Sequence, residues 1–287
     1  MDAQIQWFPG HMSKTKREIE EKIKLVDLLI ELLDARVPLS SRNPLLEKID
    51  KKRLIVLTKP DLADDSVTNE WKKYFNEQKI EVLILDLKTK IDLNKVASYC
   101  QDVMKDKIEK DKKRGINPRP IRAMIVGIPN VGKSTLINRL SQRKAASVAN
   151  KPGHTKSLQW VKNDKIELLD TPGILWPKFE DQETAIKLAL IGSIKMDILN
   201  KEKLIYRLLS FMSCRYPNML CARYDLDFPI NDDADALKAI EFIGMKRGFL
   251  INKGNIDIEK TIDTILREFR DSTIGKCSLE HPNEKWF

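Results

Sequence analysis

Six short apolar segments, rich in Ile, Leu and Val, divide the first 170 residues of the chain. Most of them are separated by polar stretches long enough to form a helix, which is the pattern of a mainly parallel β-sheet with crossover helices. We therefore predict an α/β fold for this part of the chain. The six segments are residues 28–34, 54–58, 82–87, 122–127, 158–161 and 166–170.

Apolar residues at helical spacing replace this pattern after Pro177. The change predicts two domains, an α/β domain of residues 1–177 and a smaller all-helical domain of residues 178–287. Segments with Pro217 and Pro229 are predicted to connect the later helices. The predicted C-terminal helices are residues 183–199, 203–213, 234–245 and 257–270.

Two further elements are predicted within the first domain. Residues 13–25 favour a helix, with Ser13 as its N-cap. Residues 105–120 contain a charged helix end followed by a linker with Gly and Pro.

Charge is unevenly distributed in this chain of 287 residues, whose formal net charge is +9. Residues 178–287 carry 17 Lys and Arg against 18 Asp and Glu, so the positive excess belongs to residues 1–177. The steepest excess lies in residues 135–165, with seven basic residues and one acidic residue. This segment indicates either a polyanionic partner such as RNA, or a solvated surface that also attracts nucleotide phosphates. Charge alone does not decide between the two.

Composition also bears on the location of the protein. No apolar run approaches the roughly 20 residues of a membrane helix, and the N-terminus lacks a basic leader followed by an apolar core. The four cysteines show no C-x-x-C spacing, which favours reduced thiols. We therefore expect a cytoplasmic protein with no membrane partner.

A phosphate loop is the strongest chemical signal. Residues 127–134 match the pattern G-x-x-x-x-G-K-[ST], follow an apolar segment and open a helical one. In this context glycines let backbone N–H groups curl around phosphate oxygens, and the helix N-terminus adds partial positive charge. We predict that Lys133 reaches the β- and γ-phosphates and that the Ser134 hydroxyl ligates Mg²⁺. The predicted nucleotide-binding residues here are Asn130, Val131, Gly132, Lys133, Ser134 and Thr135.

Two more motifs complete the predicted phosphate and Mg²⁺ site. Asp170 and Gly173 form a D-x-x-G motif at the end of an apolar segment, 36 residues after Ser134. The carboxylate can hold Mg²⁺ through water, and the glycine N–H can approach the γ-phosphate. Between them, Thr155 lies in a Pro-Gly-His-Thr sequence, where a threonine of a switch loop can complete the Mg²⁺ shell.

The base-reading motif is Thr58-Lys59-Pro60-Asp61, directly after an apolar segment. The Asp61 carboxylate can accept the ring N–H and the exocyclic amine of guanine, a pair that adenine does not offer. The stem of Lys59 is predicted to pack over the base plane. In ordinary GTPases this motif follows the phosphate loop, whereas here it precedes it, which indicates a circular permutation.

Further segments carry a specific resemblance. They are residues 7–12 (WFPGHM), 34–38 (DARVP) and 40–44 (SSRNP), together with 152–155 (PGHT) and 170–177 (DTPGILWP). With the phosphate loop they make the chain similar, over nearly its whole length, to the circularly permuted GTPases of the RbgA/YlqF type.

The resemblance implies a circularly permuted Ras-like P-loop GTPase domain followed by a smaller all-helical domain that contacts ribosomal RNA. It implies GTP and GDP as ligands with Mg²⁺. It also implies a GTP hydrolase that assists late assembly of the large ribosomal subunit and is stimulated by the particle. We expect a monomer with no DNA partner. A different class, an RNA-binding scaffold with little turnover, stays open.

Three positions depart from the family pattern or have no assigned role. Thr58 stands where the family usually has Asn, so the tie between the base loop and the phosphate loop is expected to be weaker. The loop from Asp86 to Lys90 replaces the usual small residue behind the guanine carbonyl. His154 precedes the switch threonine, and its role is open.

The sequence also lacks the glutamine that orients water in Ras-like enzymes, because Ile174 follows Gly173. We expect His11 to take this role, with His154 as its rival. Asn130 is a candidate ligand for K⁺ beside the phosphates, and a turn-forming asparagine is the alternative. Arg36 and Arg42 either contact RNA or fix a loop.

Overall fold

The computed structural model describes most of the chain outside the N-terminal segment and two central segments. The described residues are 21, 23–47, 49–89, 93–117, 119–140, 159–162, 166–170, 182–194, 200–251 and 254–285.

A six-stranded sheet forms the centre of the molecule, and the six apolar segments are its strands. They lie in the order β3-β2-β1-β4-β6-β5, and five are parallel while β5 runs antiparallel to β6. The predicted α/β fold is therefore confirmed. The strands are β1 (Leu28–Asp34), β2 (Lys52–Thr58), β3 (Glu81–Leu85), β4 (Ile121–Gly127), β5 (Gln159–Lys162) and β6 (Ile166–Asp170).

The strand order explains how a permuted chain builds this sheet. The chain runs outward from β1 to β3 at one edge and then returns to place β4 on the other side of β1. The predicted linker makes this return, because residues 105–120 lead from the edge of the sheet back to β4. A reversal of strand order leaves a crevice at the carboxyl ends of the strands, where α/β proteins bind ligands.

Helices cover both faces of this sheet. One face of the central strands, with Leu33, Ile55 and Leu57, packs on Trp71 and Phe75 of α2. The other face, with Ile30, Val56 and Ile125, joins a core that continues into the C-terminal helices. Every residue of β1 is buried, as expected for a parallel strand covered on both sides. The helices before residue 141 are α1 (Pro44–Glu47), α2 (Asp65–Glu77), α3 (Leu93–Val103), α4 (Lys105–Lys113) and α5 (Lys133–Leu140).

The described residues after 181 are helical apart from connections and two isolated bridges. This agrees with the predicted all-helical character. None of the described helices has the length and apolar character needed to span a membrane. The C-terminal helices are α6 (Gln182–Leu190), α7 (Lys201–Arg215), α8 (Pro217–Tyr224), α9 (Asp233–Lys246) and α10 (Ile258–Arg270).

Two details of the helical prediction were wrong. The helix predicted over residues 183–199 ends at Leu190, because Gly192 adopts a φ of +78° and closes the helix. The segment with Pro217 was predicted as a connection, but Pro217 opens α8. Proline fits the first turn of a helix, since the N–H that it lacks would have no partner there. The helix predicted over residues 13–25 lies largely outside the described residues.

Candidate guanine nucleotide site

The phosphate loop connects the end of β4 to α5. Three of its residues have positive φ: Gly127 at +154°, Asn130 at +59° and Gly132 at +106°. A Cβ at Gly127 would lie 2.8 Å from the Leu32 carbonyl oxygen, and one at Gly132 would lie 2.4 Å from Cδ1 of Leu87. The two glycines therefore allow a tight loop at the N-terminus of a helix, a geometry that fits phosphate groups.

Lys133 is held inside this loop. Its side chain is buried, and its Nζ donates hydrogen bonds to the carbonyl oxygens of Gly127 (3.1 Å) and Ile128 (2.8 Å). The ammonium group thus lies against the backbone that surrounds the predicted phosphate position. Binding of a phosphate there would exchange neutral acceptors for a charged one, which makes a stronger hydrogen bond.

Thr58 joins the base loop to the phosphate loop. Its hydroxyl lies 2.8 Å from the carbonyl oxygen of Val131 and 3.0 Å from that of Leu33, and the residue is fully buried. The threonine therefore reaches the phosphate loop at normal hydrogen-bond length. The threonine link is weaker than an asparagine link would be, because a hydroxyl has one hydrogen to share between the two carbonyl oxygens. An asparagine amide has two hydrogens.

The side chain of Lys59, in the base loop, is held by an ion pair. Its φ is +54°, and its Nζ lies 3.0 Å from the Asp34 carboxylate, which also binds the guanidinium of Arg36 at 2.9 and 2.8 Å. Burial acts to raise the pKa of Asp34, but the two cations outweigh it and hold that pKa well below its usual range. Asp34 is therefore ionised and anchors both cations.

Asp61 lies at the surface of the same loop. One of its carboxylate oxygens is 2.7 Å from Nζ of Lys88, which is largely exposed. The loop after β3 thus lies beside the base loop, and its Leu87 touches Gly132 of the phosphate loop. Arg139 of α5 holds this loop through the carbonyl oxygen of Lys88 at 3.0 Å.

Two of the three predicted Mg²⁺ ligands lie among the described residues. Ser134 lies in the first turn of α5, and Asp170 ends β6, which runs beside β4 and pairs Leu169 with Met124. Both positions are at the carboxyl edge of the sheet. Within the described part of the chain, no three His, Cys, Asp or Glu side chains form a metal site by themselves. The predicted site does not require such a cluster, because a hydroxyl, a carboxylate and phosphate oxygens together can hold Mg²⁺.

Four predicted site residues lie outside the described residues. They are His11, His154, Thr155 and Gly173.

Comparisons with known proteins indicate the family to which the chain belongs. Residues 122–206 match the family described as 50S ribosome-binding GTPase. The ribosome biogenesis GTPase A of Bacillus cereus is 47% identical over 283 residues, which cover 98% of this chain and 95% of that protein. That of Thermotoga maritima is 30% identical, with coverage of 98% and 95%. The GNP-bound crystal structure of YlqF from T. maritima has a TM-score of 0.64 and 25% identity, covering 94% of this chain and 99% of that one.

This chain belongs to the ribosome biogenesis GTPase A family. The resemblance to the RbgA/YlqF type is thereby confirmed, and with it the circularly permuted GTPase fold. As a member of that family the chain is a GTPase, and guanine nucleotide with Mg²⁺ is the ligand that the family implies.

The sequence left open whether Arg36 contacts RNA or fixes a loop, and the structure decides between the two. Arg36 is 1% exposed, pairs with Asp34 and lies 3.4 Å from the carbonyl oxygen of Arg270 through Nη1. It fixes a loop and is not available to RNA. Arg42 is partly buried over the ring of Phe75, with its Cζ 5.7 Å from the centroid.

A C-terminal strap, residues 276–281, braces the base loop and was not predicted. Its Cys277 N–H donates to the Leu62 carbonyl at 3.3 Å, and its Leu279 N–H donates to the Arg36 carbonyl at 2.8 Å. The Ser278 hydroxyl accepts from the Asp64 N–H at 3.3 Å. The strap therefore joins the loops that follow β1 and β2.

Glu280 is the strongest anchor of the strap. Its carboxylate accepts the backbone N–H groups of Leu39 (2.7 Å) and Ser40 (3.1 Å) as well as the Ser40 hydroxyl. Its carbonyl oxygen accepts the Trp71 indole N–H at 3.1 Å. An acidic residue near the chain end carries no sequence signal for such contacts, because all its partners are distant along the chain.

Proposed function

We propose that this chain binds GTP at the carboxyl edge of its sheet and hydrolyses it on the precursor of the large ribosomal subunit, whose late assembly it assists. The observation that carries the proposal is the hydrogen bond from Thr58 to Val131, which joins a base loop and a phosphate loop around one crevice. The 50S ribosome-binding description of the matching family and the names of the relatives support the choice of particle.

The described residues supply most of the binding chemistry. Lys133 would leave the carbonyls of its own loop and take the β- and γ-phosphates, while Asp61 would accept the two guanine donors in place of Lys88. The backbone N–H groups of Asn130 to Thr135 would surround the phosphates. Mg²⁺, held by Ser134, Thr155 and Asp170, would neutralise phosphate charge.

Water activation is assigned to a histidine. Ile174 after Gly173 has no polar atom to hold a water, so another group must orient it. We propose that docking on the particle brings His11 to the γ-phosphate, where an imidazole can orient water near neutral pH. His11→Ala is then expected to keep GTP and particle binding and lose particle-stimulated turnover. Normal stimulation of His11→Ala, together with its loss in His154→Ala, would assign the role to His154.

A monovalent cation is proposed to assist hydrolysis. Asn130 lies in the phosphate loop, where its side-chain oxygen could bind K⁺. The bound K⁺ would add the positive charge that an arginine finger supplies in other GTPases. Turnover is expected to be faster in KCl than in matched NaCl. Equal rates in the two salts would remove this part of the proposal.

The helical region from residue 178 is proposed to contact ribosomal RNA, with the chain acting as a cytoplasmic monomer. The basic residues 135–165 are proposed to add phosphate contacts, so particle binding should weaken steeply with salt through counterion release. A salt-independent affinity would argue against RNA contacts by this segment.

Cosedimentation with separated ribosomal subunits tests the proposal as a whole. The chain should pellet with large-subunit particles in the presence of a non-hydrolysable GTP analogue, and those particles should stimulate its GTP turnover. Binding without stimulation would favour the RNA-binding scaffold instead. Preference for small subunits would contradict the proposed partner.

A further inference from the structure

A residue at the end of α10 caps the C-terminal end of α6. Arg270, the last residue of α10, donates from Nη2 to the Ala189 carbonyl at 2.7 Å and from Nε to the Leu190 carbonyl at 2.9 Å. These carbonyls belong to the last turn of α6, where carbonyl groups lack helical partners and a cation is favourable. Arg270 therefore closes the C-terminal end of α6.

The closed end of α6 is a compact turn. The Gly192 N–H donates to the Ala189 carbonyl at 3.0 Å, and the Ser193 N–H donates to the Leu188 carbonyl at 2.8 Å, which together make a Schellman motif. The guanidinium of Arg270 packs against Gly192, because a Cβ added there would lie 3.6 Å from Arg270 Nε. The direction of the Gly192 carbonyl is thus set by the helix cap.

This carbonyl meets the phosphate loop. Nδ2 of Asn130 donates to the Gly192 oxygen at 2.8 Å. Asn130 has a left-handed backbone, which disfavours most side chains, so an outside hydrogen bond helps to hold it. Because Nδ2 and Oδ1 diverge from one carbon, fixing Nδ2 on Gly192 also fixes the direction of the amide oxygen.

Arg270 reaches the base loop by a second route. Its own carbonyl oxygen lies 3.4 Å from Nη1 of Arg36, and Arg36 shares the Asp34 carboxylate with Lys59. Burial and the nearby Arg36 lower the pKa of Arg270. Both nucleotide loops are therefore connected to one residue at the end of α10.

We propose that Arg270 is a positioning residue for the nucleotide site, and that it acts by holding the Gly192 carbonyl against Asn130. A partner that shifts α10 relative to α6 would release Asn130 and loosen the phosphate loop, which gives the helical region control over nucleotide affinity. This inference rests on the proposed binding of guanine nucleotide at the same site.

A double-mutant cycle on the full chain tests the proposal. The variants are Arg270→Gln, Asn130→Ala and the two combined, and the measurement is affinity for fluorescent GDP. Arg270→Gln should weaken binding about fivefold, the loss of one hydrogen bond's net contribution. The double variant should bind no more weakly than Asn130→Ala, because both changes break the same connection.

Matched controls separate positioning from general destabilisation. Arg267→Gln removes an exposed cation from the last turn of the same helix and should bind GDP as the wild type does. Arg270→Lys keeps a cation at the end of α6 and should restore part of the affinity, which keeps the test valid if Arg270→Gln folds poorly.

Two results would overturn the proposal. One is wild-type affinity in Arg270→Gln, and the other is a double variant whose losses multiply. Failure of the wild-type chain to bind GDP would instead contradict the proposed function, so the two failures are distinguishable.

Discussion

The phosphate loop and the base loop lie side by side but are stabilised in different ways. The phosphate loop takes most of its shape from its own residues, since Gly127 and Gly132 allow positive φ and Lys133 bonds to the carbonyls of the same loop. The base loop depends on distant groups. Asp34 holds Lys59, and the C-terminal strap binds the backbone at Leu62 and Asp64.

This difference determines which changes should affect each loop. Local substitutions should have the largest effects on the phosphate loop, which also has a distant support in the bond from Asn130 to Gly192. The base loop should respond mainly to changes far along the chain. Thr58 is the direct junction, because its hydroxyl belongs to the base loop and its acceptor Val131 belongs to the phosphate loop.

The largest effect is expected from Lys133→Ala. The change removes the cation that we propose to contact the β- and γ-phosphates, where a preorganised charge has a large effect. Nucleotide binding should fall by more than tenfold, and turnover should be lost. Isothermal titration with GDP measures the first and phosphate release the second. Unchanged affinity would mean that this loop does not bind phosphate.

Thr58→Val should have a smaller effect on both loops. Valine keeps the shape of threonine but leaves two buried carbonyl acceptors without the hydroxyl, which costs about 1–3 kcal/mol of unfolding free energy. GDP affinity should fall as the loops separate, and Thr58→Asn, with two donors, should retain it.

Thr68→Val is the matched control for this change. Thr68 is also buried, and its hydroxyl donates to the carbonyl of Asp64, the N-cap residue of α2, at 2.7 Å. Urea unfolding should show a loss of stability in both valine variants, while GDP affinity should fall only in Thr58→Val. Equal affinities in the two would deny Thr58 a role in joining the loops.

Lys88→Ala should change affinity only slightly. Lys88 is largely exposed, and its pair with Asp61 would compete with the proposed binding of guanine. Its removal should therefore raise GDP affinity about twofold, within the range of surface ion pairs. Lys110→Ala, an exposed lysine of α4, removes the same charge elsewhere and should not change GDP affinity. Loss of affinity in Lys88→Ala would mean that Lys88 supports the base.

Thiol reactivity tests whether the strap stays bound, and this test requires no substitution. Burial raises the pKa of Cys277 in the strap, and that of Cys100, to about 12. Both thiols should therefore stay protonated and unreactive at pH 8, whereas the exposed Cys214 and Cys221 should react. Titration with a thiol reagent counts them, and fast reaction of Cys277 would indicate a detached strap.

The sequence predicted the parts of the molecule that depend on local pattern. The apolar segments indicated the strands. The spacing of Gly127, Gly132 and Lys133 indicated the phosphate loop, because its backbone requires glycine at two positions and its carbonyls bind the Lys133 side chain. Strand and phosphate-loop signals are carried by neighbouring residues, and no long-range contact is needed to interpret them.

The supports of the base loop could not be predicted in the same way. Arg36 was recognised as part of a motif, but its burial against Asp34 depends on the fold around it. Glu280 and Arg270 lie more than 200 residues from the base loop along the chain, and their tertiary contacts are with Leu39 and Arg36 in the neighbouring loop after β1. Their residue types are common at surfaces, so nothing local distinguishes them.

The most direct test of this account is the nucleotide preference of Asp61→Asn. The wild-type chain should hydrolyse GTP in preference to ATP, and large-subunit particles should stimulate that turnover. In Asp61→Asn, an amide donor replaces a carboxylate acceptor, so stimulated turnover should move from GTP to xanthosine triphosphate. Equal hydrolysis of GTP and ATP by the wild type, or an unchanged GTP preference in Asp61→Asn, would contradict the assignment of the base loop.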